Sequence, residues 1–149
     1  MAQVVKVRVL PVDPSPALVP LTEIEASCGF PSPAQDYATT EIDLNEHLLP
    51  NRLSSYVMRV RGDSMRGVGI WDGDEIIVDR SVEVQDGDVV VVAVDGEMLV
   101  KRWCVGRDGA VALCAEHPNY PPLFLSELSD VRVWGVVTFG VRRVISRKF

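Results

Sequence analysis

Few residues in this chain of 149 can do acid–base or nucleophilic chemistry. There are two histidines, His47 and His117, and the lysines are Lys6, Lys101 and Lys148. The sharpest local feature is Gly62-Asp63-Ser64-Met65, which follows an alternating run at 56–61. A serine just after a glycine turn, at a strand end, can present its hydroxyl beside backbone N–H groups. That suits a nucleophile, because the oxyanion developing on an attacked carbonyl needs such donors. The same turn also suits a plain capping serine. A nucleophilic hydroxyl needs a base. His47 falls in a short amphipathic helix and His117 precedes a proline in a loop, so both read as solvated or structural. Lys6 and Lys148 lie in terminal segments. Lys101 lies inside the run 97–103, where alternation puts it on one face with Leu99 and Trp103. Burial there would disfavour the ammonium form and lower its pKa from about 10.4. A neutral amine can take a serine proton, and Ser–Lys pairs substitute for Ser–His. The alternative is a lysine whose stem packs while its head reaches water.

The elements that must position these residues read as strands and tight turns from Tyr56 onward. Val/Ile-rich runs at 56–61, 75–79, 88–94, 97–103, 110–115 and 131–144 are punctuated by Asp-Gly at 72–73, 86–87, 95–96 and 108–109. Asp-Gly tolerates the positive φ of tight hairpins, and the spacing predicts a mainly β, antiparallel fold. Residues 1–40 differ. They hold six of the ten prolines, which disfavours helix interiors and central strands, and they read as an extended arm. The β domain is placed at 41–149. It opens with a short helix in which Asp43 and Glu46 have capping-box spacing, Leu44 and Leu48 share a face, and Pro50 ends the run. No longer repeat points to a solenoid.

Composition narrows the function classes. A hydrophobic share of 47% with 24% charged residues argues against intrinsic disorder. The net charge of -6 argues against nucleic-acid binding over the whole surface. The charge is uneven: residues 63–97 are strongly acidic, whereas Arg142, Arg143, Arg147 and Lys148 make the last ten residues basic. That reads as solubility and a solvated tail, or as a contact for an acidic partner. Two histidines, and cysteines that form no CxxC pair, point away from structural zinc, and no cofactor is expected. An odd cysteine number at 28, 104 and 114 fits reduced thiols in a cytoplasmic protein. Lys6 and Arg8 interrupt the first apolar stretch, which argues against a signal peptide. No apolar run is long enough to predict a membrane span.

The ordered set 60–65 (Val-Arg-Gly-Asp-Ser-Met), 71–74 (Trp-Asp-Gly-Asp) leading into 76–79, 86–90 (Asp-Gly-Asp-Val-Val) and 94–97 leading to Val100-Lys101-Arg102 resembles the LexA/UmuD family of self-cleaving serine peptidases. Cys28-Gly29-Phe30-Pro31-Ser32-Pro33-Ala34 with Asp36-Tyr37 resembles the family's cleavage region of the UmuD type. The likeness covers about residues 24–140. It implies a LexA-like peptidase domain with Ser64 as nucleophile, Lys101 as general base and Cys28–Gly29 as the scissile bond. It further implies stimulation by RecA–single-stranded DNA filaments. The processed homodimer would then join a UmuC-type DNA polymerase subunit in translesion synthesis, with no direct nucleic-acid binding. Cleavage within a chain or across a dimer stays open. The loop Arg66-Gly67-Val68 with Trp71, and the basic tail, depart from the family pattern. Only 27 residues precede Cys28, and they are Pro-rich, so a helix-turn-helix repressor is not expected. A membrane-anchored signal peptidase, which shares a related Ser–Lys core, is not expected either. Two other readings are a non-catalytic interaction module on the same scaffold, and a phage- or plasmid-borne relative with another polymerase partner.

Overall fold

The structure is a computed structural model that describes residues 2–9, 15–22, 29, 39–128 and 130–147. The chain divides into two compact units. One joins Met1–Leu10 to Asn51–Phe149, and the other is Pro11–Pro50. Proline content marks 1–40 as one arm; compactness groups the first ten residues with the larger unit instead.

In the larger unit, period-2 alternation shapes β4 (Ser55–Arg61): Met58 and Val60 are buried while Arg59 and Arg61 are exposed. β5 (Glu75–Asp79) pairs antiparallel with it. β6 (Val89–Val94) and β7 (Glu97–Val105) form a hairpin closed by Asp95 and Gly96, both at positive φ, as the Asp-Gly signal predicts. β8 (Val111–Cys114) and the two-residue β9 (Leu123–Phe124) continue the sheet past β7. β10 (Val131–Val141) lies between β5 and β6 and pairs with both. Gly135 lets it approach: a Cβ there would sit 2.7 Å from Val78 Cγ1. The predicted run 131–144 is shorter as a strand because Arg142 turns away to bind Asp74. Asp88, predicted to start β6, instead closes a turn by accepting the Gln85 N–H.

β1 (Gln3–Val9) completes the sheet. It pairs antiparallel with β4 along its length and meets β7 at Gln3↔Leu99. The order β1-β4-β5-β10-β6-β7 therefore returns on itself as a ring of six strands. Two apolar clusters flank β6 and β7. Val91 and Val100 face one, with Ala2, Met58, Met65 and Ile76; Val90, Val92 and Leu99 face the other, with Leu113 and Val136. Both faces of these strands are covered, so their valine runs do not alternate with polar residues.

In the smaller unit, β2 (Leu18–Thr22) pairs antiparallel with β3 (Thr39–Asp43), which leads into α1 (Leu44–Leu48). Asp43 is the N-cap, as its spacing predicts, and its Oδ1 accepts from the Asn45 N–H at 2.9 Å. Gly29 belongs to this unit and is exposed. Cys28 lies outside the described residues. Among the described residues no helix is long and apolar enough to cross a membrane.

Candidate active site

Ser64 follows β4 through a turn that only glycine enters easily: Gly62 has φ +96°, and its N–H donates to Asp72 Oδ1 at 2.8 Å. The next residues are clamped. The Glu116 N–H donates to the Ser64 carbonyl at 2.7 Å, and the Gly67 N–H donates to the Glu116 carbonyl at 2.7 Å. Gly67 is required for this, because a Cβ would stand 2.7 Å from that same carbonyl oxygen. Arg102 holds the Glu116 carboxylate through its Nε. Met65, fully buried in the core, anchors the other side. Ser64 itself has no exposed surface, and its Oγ accepts the Ala2 N–H at 2.7 Å.

Lys101 lies in the middle of β7 in register with Val90, and it is 1% exposed. The expectation of burial holds, and the alternative of a head in water does not. Burial holds its pKa below the usual lysine value, with the Cys114 thiol acting weakly the other way. Its Nζ stands 5.6 Å from the centroid of the Tyr120 ring. The Tyr120 hydroxyl donates to Asp63 Oδ1 at 2.8 Å, and Asp63 Oδ2 lies 3.6 Å from His117 Nε2. The Tyr120 hydrogen bond, with His117 and Arg66 in support, holds the Asp63 carboxyl below the usual carboxylate range against the opposing effect of burial.

Two chains of contacts link the neighbourhoods of Ser64 and Lys101. Ala2 gives its N–H to Ser64 Oγ, and its carbonyl accepts the N–H of Val100, the neighbour of Lys101. On the other side, Asp63 next to Ser64 is tied to the tyrosine that faces Lys101. A fixed, buried hydroxyl and a buried amine of reduced proton affinity are suited to nucleophile and general base. His117 packs edge-on against Tyr120 and accepts the Asn119 N–H, which makes it a structural group. His47 sits in the last turn of α1, in the other unit.

Sequence reasoning missed three members of this neighbourhood. Tyr120 follows His117-Pro118-Asn119 in a loop without periodicity. Glu116 acts through its backbone, and backbone roles leave no residue signature. Ala2 is recruited by β1, which reads from sequence as part of a proline-rich arm. Arg142, read as part of a basic tail, is instead built in: its Nε donates to Asp74 Oδ1 at 2.7 Å, and its guanidinium stands 5.6 Å from the Trp71 ring.

The Peptidase S24-like family matches residues 20–138. Protein ImpA of Salmonella typhimurium is 35% identical over 136 residues, which span 89% of this chain and 92% of that protein. Protein MucA of Escherichia coli is 35% identical over 116 residues, spanning 77% of this chain and 78% of the relative. The LexA repressor of Acidithiobacillus ferrooxidans is 36% identical over 121 residues, covering 79% of this chain and 58% of that longer protein. The chain belongs to the Peptidase S24-like family, which includes the self-cleaving LexA and UmuD serine peptidases.

Proposed function

We propose that this chain is a self-cleaving serine peptidase of the UmuD type, with its own Pro-rich segment around Cys28–Gly29 as substrate. Ser64 Oγ attacks the Cys28 carbonyl, and its proton passes to neutral Lys101 Nζ. Backbone N–H groups of the turn at Ser64 hold the oxyanion. Lys101 then gives that proton to the Gly29 nitrogen as the Cys28–Gly29 bond breaks, which leaves an ester on Ser64. Water, deprotonated by Lys101, hydrolyses the ester and restores both groups. The observation that carries this reading is Lys101, a residue ordinarily in water, enclosed and of lowered proton affinity, and facing the Tyr120 ring whose hydroxyl binds Asp63, the neighbour of Ser64.

The family resemblance extends the proposal. A RecA–single-stranded DNA filament stimulates the cut in the cytoplasm, and the processed homodimer joins a UmuC-type polymerase subunit in SOS translesion synthesis. DNA enters through protein partners, which suits a chain of net charge -6. Intact-mass analysis after mild alkaline incubation tests the chemistry. Wild type should lose residues 1–28, and Ser64→Ala and Lys101→Ala should lose nothing. A wild-type chain that stays intact even with activated RecA filament contradicts the proposal and favours a non-catalytic module on the same scaffold. Co-purification with candidate polymerase subunits, before and after cleavage, tests the partner; failure to retain a UmuC-type subunit points to a phage- or plasmid-type relative.

A further inference from the structure

Among the described residues the ring of strands closes through β1 alone, and it closes at Ser64. β1 lies between β4 and β7, and its first contact on each side is made by Ala2 and Gln3. Ala2 has no exposed surface, donates its N–H to Ser64 Oγ at 2.7 Å, and accepts the Val100 N–H on its carbonyl at 3.1 Å. Gln3 is in register with Leu99 on β7 and with Arg61 on β4. Without β1, the facing edges of β4 and β7 form an open groove with Ser64 at its end. Open strand edges bind extended peptide by main-chain hydrogen bonds, largely irrespective of side chains.

We propose that this groove is the peptide-binding cleft of the enzyme and that β1 occupies it as an intrasteric inhibitor. The inference rests on the peptidase reading above. A carbonyl under attack by Ser64 must stand roughly 3–3.5 Å from Oγ. The Ala2 amide already fills that place, so Ala2 and the Cys28–Gly29 bond exclude one another. The enclosed position beside Ser64 takes a small residue, and Ala2, Cys28 and Gly29 are all small. The two segments differ as strands. Gln3–Val9 is rich in valine and lacks proline, so it can donate at every ladder position. The segment after Gly29 carries Pro31 and Pro33, which have no N–H to give. β1 is the better strand and holds the cleft at rest. Cleavage waits for its release, which gives a stimulating partner something to do.

Two chains test this: one with residues 2–9 deleted, and the full-length Arg8→Pro variant, which weakens β1 and leaves the rest of the chain intact. Unstimulated, Ser64-dependent cleavage at Cys28–Gly29 should rise fivefold or more in both. A peptide of residues 2–9 added to the deleted chain should restore the slow rate. Hydrogen exchange of the Val100 amide reports occupancy without reference to catalysis. It should be protected in Ser64→Ala full-length chain and at least tenfold faster after the deletion. A Val100 amide that exchanges freely in the full-length chain overturns the proposal. So does an unchanged or lowered rate in both variants while each keeps its cooperative unfolding transition and Ser64-dependent cleavage. If no chain shows Ser64-dependent cleavage, the peptidase reading has failed and the inhibitory role falls with it, even where Val100 protection places β1 in the groove.

Discussion

Replacing Lys101 by methionine should stabilise the protein at neutral pH, and the gain should vanish as the pH rises. Lys101 is 1% exposed, and burial holds its pKa below that of a free lysine. In the unfolded chain the amine has its ordinary pKa of about 10.4. Between the folded and unfolded values the unfolded state binds more protons, so wild-type stability rises with pH across that window. In its interior the slope is about 1.4 kcal/mol per pH unit. Below the window both states are protonated and the folded state carries the full cost of a buried ammonium. Above about pH 10.4 both are neutral and the cost is gone. Methionine has similar volume and no charge, so its stability lacks this slope. The ring of Tyr120 attracts the ammonium by about 0.5–2 kcal/mol, which burial must exceed for the lowering to hold. Lys101→Met should therefore be more stable than wild type at pH 7, by about 1.4 kcal/mol for each unit of depression, with the gain falling toward zero as the pH approaches and passes about 10.4. Paired urea unfolding curves from pH 6 to 10 measure the difference, in which other titrating groups cancel. A variant less stable than wild type at pH 7, or a difference constant from pH 7 to 10, would refute the reasoning.

Asp79 is 2% exposed; burial opposes its charge, but hydrogen bonds from Ser81, Asn51 and Ser54 prevail and hold its carboxyl below the usual range. Asp79→Ala should cost about 3 kcal/mol at pH 7 by urea unfolding, a difference that shrinks as the pH falls below about 4 and the wild-type carboxylate protonates. Gly67→Ala should drive a Cβ into the Glu116 carbonyl, cost about 1–3 kcal/mol and slow self-cleavage by loosening the Ser64 clasp. Unfolding and cleavage should shift together, and an unaltered cleavage rate counts against the clasp. Burial and the adjacent Cys114 thiol push the Cys104 thiol up to about 11. Alkylation of Cys104 at pH 8 should therefore run about a hundredfold slower than that of a free thiol, and mass-resolved labelling at the ordinary rate would contradict that.

The strands and turns of the larger unit were legible because Val/Ile-rich runs mark the strands and Asp-Gly marks its own turn. Ser64 and Lys101 were legible for a different reason: each occupies a place, after a glycine turn and inside an apolar strand, where its chemistry conflicts with the local pattern. β1 was not legible as a barrel strand. Proline at 11, 14, 16 and 20 colours the whole segment, although Gln3–Val9 itself contains none. The roles of Ala2 and Glu116 depend on backbone groups that every residue has. Arg142 could not be told from the basic residues after it, since only the fold brings Asp74 and Trp71 to meet it.

The claim that Lys101 acts as a neutral base meets its most direct test in the pH dependence of Ser64-dependent cleavage at Cys28–Gly29, followed by product mass. The account predicts a rate that climbs tenfold per pH unit and levels off above a pKa below about 10.4, and it predicts no such product from Lys101→Ala at any pH. A rate flat from pH 6 to 10, or a Lys101→Ala chain that still releases Gly29, would contradict it.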